Sequence, residues 1–244
     1  MSPRRTLSTT ARILKQLRHD HRTLGLVFFV PSVLIVILYY VFDSNKAIFN
    51  SIAPLLLAII PFTIMFIITS VAVLRERTSG TLERVLTSPA TKLDVLLGYA
   101  FAFALLALVQ SGIASFVTLG LLGVTIAGPA FALVITAVMA GVLGMSYGLF
   151  FSAFAKNEFQ AVQFMPAFVL PQFLTCGLLA SRDSMASFLQ YFSDVMPVTY
   201  VVKAAQEVIV SSSLTHVFTN SIIIAFGFIV LALGLGALTL RSEK

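Results

Sequence analysis

Residues 54–94 read PLLLAIIPFTIMFIITSVAVLRERTSGTLERVLTSPATKLD, and this stretch decides the architecture. Its first half, Pro54 to Leu74, contains no charged side chain. A helix of about 20 apolar residues crosses a hydrocarbon core of roughly 30 Å. The second half changes abruptly to Arg75, Glu76, Arg77, Glu83, Arg84, Lys92 and Asp94, so a span is followed by a polar loop. Working outward, five further runs have the same character: Leu24–Phe42, Val95–Leu122, Pro129–Ala155, Phe159–Ala180 and Thr219–Leu240. The expected fold is an all-α integral membrane domain of six transmembrane helices, occupying residues 1–244 as one unit.

Composition agrees with that reading. Of 244 residues, 58% are hydrophobic and 11% charged, whereas a soluble domain carries about a quarter charged residues. The formal net charge of +6 raises the question of nucleic acid, and its distribution answers it. Lys and Arg fall in alternate loops, thirteen against three, with the larger set in both termini and in the second and fourth loops. The positive-inside rule then puts those segments in the cytoplasm, and no nucleic-acid partner is expected. The first run lacks a small-residue cleavage site and exceeds a signal-peptide core in length, so its retention is expected. Cys176 is the only cysteine, which excludes an intrachain disulfide.

Between the spans, three regions carry structure of their own. Residues 1–23 include Leu7, Ala11, Leu14 and Leu17 spaced among Arg12, Lys15 and Arg22, a pattern for an amphipathic helix lying in the membrane interface, with a solvated basic tail as the alternative. In the loop 75–94, Leu82, Val85 and Leu86 share one helical face, Gly80 breaks the preceding span and Ser88-Pro89 ends the short helix. A helix tethered to two spans can pass force from a cytoplasmic partner, or can rest on headgroups. In the outer region 181–218, Ser184–Phe192 and Pro197–Val210 read as short helices, the second with Lys203 and Glu207 at i, i+4, either re-entering the membrane or lying on it. The third and fourth spans are joined by the uncharged stretch Gly123–Gly128, a tight hairpin.

Several chemistries are excluded. No Gly-rich phosphate loop is present, so ATP-driven work requires a partner chain. No Asp, Glu, Lys or Arg falls in the middle of a span, which argues against a proton- or sodium-coupled carrier. His19, His21 and His216 lie outside the spans without metal-ligand spacing, and no nucleophile with an activating base occurs. An enzyme is not expected, nor a cofactor or metal held by this chain. The fifth run carries Gln160, Gln163, Gln172 and Thr175, and the second carries Phe62, Met65 and Phe66 around Pro61. Intramembrane amides need protein or a cavity, so Phe62, Met65, Phe66, Gln163, Phe164 and Gln172 are candidate lining residues of a substrate path, with helix packing as the alternative use. Ala140, Gly141, Gly144 and Gly148 in the fourth run form a small-residue face for close packing, within one subunit or between two.

The run Glu76 to Pro89 (ERTSGTLERVLTSP) closely resembles the signature of type-2 ATP-binding-cassette exporter permeases, in particular their drug-resistance branch. Glu158–Pro166 (EFQAVQFMP), Met196–Tyr200 (MPVTY) and Lys203–Val208 resemble the same branch. The resemblance implies a bacterial plasma-membrane permease with a separate cytoplasmic ATPase subunit that holds ATP and Mg²⁺, and a second permease copy or homologue. It implies that Glu76, Arg77, Gly80, Thr81, Leu82, Glu83 and Arg84 lie at or beside the ATPase, and that 181–218 forms short re-entrant helices. It further implies outward transport of lipophilic small molecules, drug-like or lipid-like. A stand-alone transporter or channel, a permease for glycan, lipid or peptide, and a membrane-embedded enzyme or structural subunit are the rival readings.

Overall fold

A computed structural model describes residues 2–81 and 91–239. Among these the chain is helical, in the order α1 (Pro3–His19), α2 (His21–Val41), α3 (Lys46–Thr78), α4 (Lys92–Ser115, continued as a π-helical turn Phe116–Leu121), α5 (Ala130–Ser152), α6 (Glu158–Thr175), α7 (Ser187–Val195), α8 (Pro197–Val210) and α9 (His216–Thr239). Five helices are long and apolar enough to cross a membrane: α2, α3, α4 with its π turn, α5 and α9. The run expected as the fifth span is instead the 18-residue α6, whose Gln160, Gln163 and Gln172 lower its hydropathy and which does not join that set.

Helix starts follow local chemistry. The Asn45 side chain accepts from the Ile48 N–H to open α3, and Asn157 accepts from Gln160 N–H to open α6. Thr91 and Asp94 form a reciprocal capping box at α4, satisfying two backbone N–H groups that the helix itself leaves unpaired. Asp20 caps α2 through the Thr23 N–H and hydroxyl, bonds that hold its carboxyl below the usual carboxylate range. Gly80, at φ +70°, ends α3 in the left-handed conformation that suits glycine.

The α3–α5 pair is the most extensive contact in the fold, and the small-residue face makes it so. A Cβ built on Gly148 would stand 2.6 Å from the Phe66 carbonyl oxygen and 3.0 Å from the Thr69 Cβ, and one on Gly144 would collide with the Phe62 carbonyl still more severely. Gly141 similarly faces Ala107 of α4, where Ser111 donates to the Ala137 carbonyl at 2.9 Å. The small residues therefore serve packing inside one subunit.

The outer region is only partly as expected. The first short helix begins at Ser187, three residues later than Ser184, because residues 182–184 form a 3-10 turn held by Arg182 pairing with Asp194. The second spans Pro197–Val210 as expected, and its Val198, Val201, Val202, Ala204, Ala205 and Val208 are buried against α3, α5 and α9. It is an interior helix, whereas α7 exposes Phe188 and Tyr191. The expected Lys203–Glu207 pair does not form: Glu207 accepts from the Thr215 hydroxyl at 2.8 Å and from Ser211. The connection after Leu121 leans on α8, with Ala127 and Gly128 N–H donating to the Ile209 and Val208 carbonyls at 3.2 and 2.9 Å.

Gly144→Ala places a methyl group against backbone that cannot yield, and is expected to destabilise the purified protein by roughly 1–3 kcal/mol. Gly227→Ala, at a position with nothing within 4 Å, is expected to be neutral or stabilising by up to about 1 kcal/mol. Thermal melting of both variants in detergent checks this; equal melting temperatures would show that the α3–α5 approach is not tight.

Candidate functional site

The expected partner-contact segment begins where α3 ends, and three consecutive charged residues there each reach a different helix. Arg75 donates through Nε and Nη2 to the two carboxylate oxygens of Glu158, at 2.6 and 2.9 Å, linking α3 to the first residue of α6. Both partners are more than half exposed, so this forked pair orients more than it stabilises, contributing on the order of 0–1 kcal/mol.

Glu76 points the opposite way and is buried, with 7% of its surface exposed. Its Oε2 accepts from Arg12 Nη2 of α1 at 3.0 Å and from the Tyr99 hydroxyl of α4 in a short bond. Arg12 Nη2 also lies 3.4 Å from the Tyr99 oxygen, closing a triangle among α1, α3 and α4. A buried carboxylate is tolerable only when paired and hydrogen-bonded, and Glu76 meets both conditions.

Arg77 takes the third direction. Its Nη1 donates to the Ala153 carbonyl at 2.8 Å and its Nη2 to the Ala155 carbonyl, so a cation caps the C-terminal end of α5, where the helix dipole is negative. Beyond it the Ser79 N–H bonds to the Arg75 carbonyl, Gly80 turns the chain, and the Ser79 and Thr81 hydroxyls lie 2.9 Å apart. Of the residues expected beside the ATPase, Glu76 and Arg77 thus have their side chains engaged within the subunit. Gly80 and Thr81 start the loop, and Leu82, Glu83 and Arg84 lie outside the described residues.

The same end of the molecule is braced from the N-terminus. The helix expected in residues 1–23 is present as α1, and the side it turns to the protein is made of Thr6, Thr9, Ile13 and Leu17, while Leu7 is 65% exposed. The reason is the contact with α4. Thr9 sits where a Cβ on Gly98 would fall, Thr10 donates to the Gly98 carbonyl at 3.2 Å, and Asp94 accepts from the Ser2 N–H at 3.0 Å and the Thr6 hydroxyl at 3.4 Å. Threonine methyls and hydroxyls fill a close helix crossing that a scan for leucines does not detect.

The six candidate path residues separate into groups. Phe62 and Phe66 of α3 and Phe164 of α6 join an aromatic cluster with Tyr147 and Phe151 of α5 and Phe168 of α6, at centroid separations from 4.7 to 6.4 Å. Met65 is buried in a separate cluster with Phe103 and Met145. Gln172 is buried and satisfied, its Nε2 donating to the Phe168 carbonyl at 2.9 Å and its Oε1 accepting from Val198 N–H at 3.2 Å, which fastens α6 to the start of α8. Gln163 is exposed on α6.

Sequence reasoning missed Arg12, Tyr99, Arg75 with Glu158, and the tether role of Asp94. The available signal was the placement of one acid and one hydroxyl at the same end of adjacent apolar runs. Glu76→Ala is expected to destabilise by roughly 1–3 kcal/mol, since it leaves the partly buried Arg12 guanidinium and the buried Tyr99 hydroxyl without their shared acceptor. Tyr99→Phe is expected to cost about 1 kcal/mol, and Arg75→Ala less than about 1 kcal/mol. Denaturation of the three variants in detergent measures the order; Arg75→Ala as the most damaging would refute it.

The comparisons with known proteins bear on this arrangement. The model of the ABC-2 type transporter family matches residues 5–210. The probable multidrug ABC transporter permease YbhR of Escherichia coli K12 is 25% identical over 171 residues, 70% of this chain and 46% of that protein. Its namesake YbhS is 25% identical over 185 residues, 75% and 49%. The ABC transporter G family member 20 of Dictyostelium discoideum is 24% identical over 174 residues, 71% and 24%. The chain therefore spans half or less of the length of these curated relatives. The names of these relatives are those of transport proteins, and with five apolar helices of spanning length among the described residues the chain is a multi-pass membrane protein. Since the family's match runs from the α1 brace through the charged end of α3 to the last residue of α8, the chain belongs to the ABC-2 type transporter family.

Proposed function

We propose that this chain is the permease subunit of an ATP-driven exporter, working with a separate ATPase subunit and a second permease copy or homologue. The observation that carries the proposal is the charged end of α3, where α1, α4, α5 and α6 are tied to the root of the loop 82–90 within the stretch the family matches. A push on that loop reaches four helices through side chains rather than through one flexible connection. The ATPase supplies the push on binding ATP and Mg²⁺, with Gly80 to Arg84 nearest to it and Glu76 and Arg77 transmitting behind them.

In this reading α6 is the fifth of six spans. Its 18 residues rise about 27 Å, near the thickness of the hydrocarbon core, and Pro166 and Pro171 lie within it. The helices α7 and α8 re-enter from the outer face, and both termini and the loop 82–90 lie in the cytoplasm of a bacterial cell. The path runs past Gln163 and the aromatic cluster that includes Phe62, Phe66 and Phe164, with Met65 and Gln172 behind it. Aromatic rings and amides without intramembrane charge suit a lipophilic drug-like or lipid-like cargo, in keeping with relatives named as probable multidrug permeases. Multidrug efflux and antibiotic resistance are the corresponding roles.

Affinity purification of the tagged chain in mild detergent, wild type beside Glu83→Lys and Gly227→Ala, tests this. An ATPase subunit and ATP hydrolysis are expected with wild type and Gly227→Ala, and at least tenfold less with Glu83→Lys. Recovery of folded wild-type permease with no ATPase would reject the proposal.

A further inference from the structure

Arg75 stands at the seam between a fixed block and a lightly held helix. Helices α1, α3 and α4 form the block: Glu76 joins Arg12 and Tyr99, and Asp94 of α4 accepts from the Ser2 N–H at 3.0 Å. The first two turns of α6 bury only Ala161, packed with Leu74 and Ala155, while Glu158, Phe159, Val162 and Gln163 are exposed. The forked bond from Arg75 to Glu158 ties this end of α6 to the block, and both side chains are more than half exposed.

A second carboxylate lies on the block side. Asp20 directly follows α1, its N–H bonded to the Leu17 carbonyl at 3.0 Å, so its position is set by α1 and not by α6. Its carboxyl is held below the usual range first by the bonds to Thr23 and then by the charge of Arg75, which acts on it through space. The two Asp20 oxygens each accept one bond from Thr23, at 3.1 and 2.6 Å, and a carboxylate oxygen has room for a second. Asp20 enters no ion pair among the described residues. Arg75 is thus flanked by a paired carboxylate on the lightly held helix and an unpaired one on the block.

We infer that Arg75 is an exchange point: when the inner end of α6 parts from α3, its guanidinium passes from Glu158 to Asp20. Without a second partner the parted arrangement would lack an ion pair that the joined one has. With Asp20 in place each arrangement has one, so the two lie close in free energy. Exposed pairs of this kind are weak and screened by salt, which suits a contact that is made and broken repeatedly. A plain tie between α3 and α6 has no need of Asp20, whereas the exchange does. The inference goes beyond the exporter reading and concerns the permease alone, whatever its ATPase or cargo.

The test measures the separation of spin labels at Leu93→Cys of α4 and Val162→Cys of α6, both exposed positions, in the full chain with Cys176→Ala, in lipid vesicles without ATP. Glu158→Gln is expected to enlarge the population with α6 displaced roughly two- to fivefold. Adding Asp20→Asn, which keeps an acceptor for the Thr23 N–H and removes the charge, is expected to cancel that enlargement. In the reversed pair Arg75→Glu with Glu158→Arg the fork re-forms while Asp20 repels position 75, so the displaced population is expected to fall below that of wild type. Unchanged melting temperatures separate a shifted population from lost folding. No displacement in Glu158→Gln, a displacement that Asp20→Asn leaves unchanged, or a reversed pair indistinguishable from wild type would overturn the inference, whichever way the ATPase experiment falls.

Discussion

The approach of α3 to α5 at Gly144 and Gly148 is the constraint on which the rest depends. Two helices whose backbones meet without intervening side chains fix each other's rotation and height, because sliding either by one residue would drive a Cβ into a carbonyl. That register sets the Phe66 ring, with Phe62 stacked on it, against Phe151 and Phe168 and brings Arg77 within reach of the last carbonyls of α5. In lipid there is little hydrophobic force between helices, so close van der Waals contact of this kind does the ordering that water does for a soluble core.

Charge is concentrated where that ordering ends. Arg75, Glu76 and Arg77 are adjacent in sequence yet diverge by about 100° per step, so a single helical turn addresses α6, then α1 and α4, then α5. The arrangement is asymmetric in depth. Glu76 is enclosed and intolerant of losing a partner, while the Arg75–Glu158 fork lies open and can part at little cost. Such a junction has a firm side, made by α1, α3 and α4, and a yielding side toward α6.

Much of the fold was legible because long apolar runs have few alternatives. The bounds expected for α2, α4 and α5 fall within a few residues of those observed, and α8 was read to the residue. What stayed hidden has a common cause. The packing face of α1 includes Thr6, Thr9 and Ile13, and leucine spacing alone does not mark it. Helical spacing pairs Lys203 with Glu207, yet the carboxylate turns to Thr215, eight residues on. In the same way Gln172 looks like a lining residue until Val198 N–H is found on it. Each miss concerns a polar group whose partner lies beyond its own helix, which periodicity along one helix does not reveal. The short α6 differs: its amides depress hydropathy, and of them Gln172 is taken up by α8 while Gln163 stays exposed.

The stitches between Gly128 and Val208 and between Ala127 and Ile209 join backbone to backbone across two parts of the chain far apart in sequence. Ala127 is exposed and Gly128 partly so, and each bond contributes about 1 kcal/mol. The loop between α4 and α5 and the C-terminal end of α8 are therefore mechanically one piece, and α8 is in turn pinned at its start to α6 through Gln172. Through these bonds α6, α8 and the α4–α5 connection form one linked unit rather than a set of separate flaps.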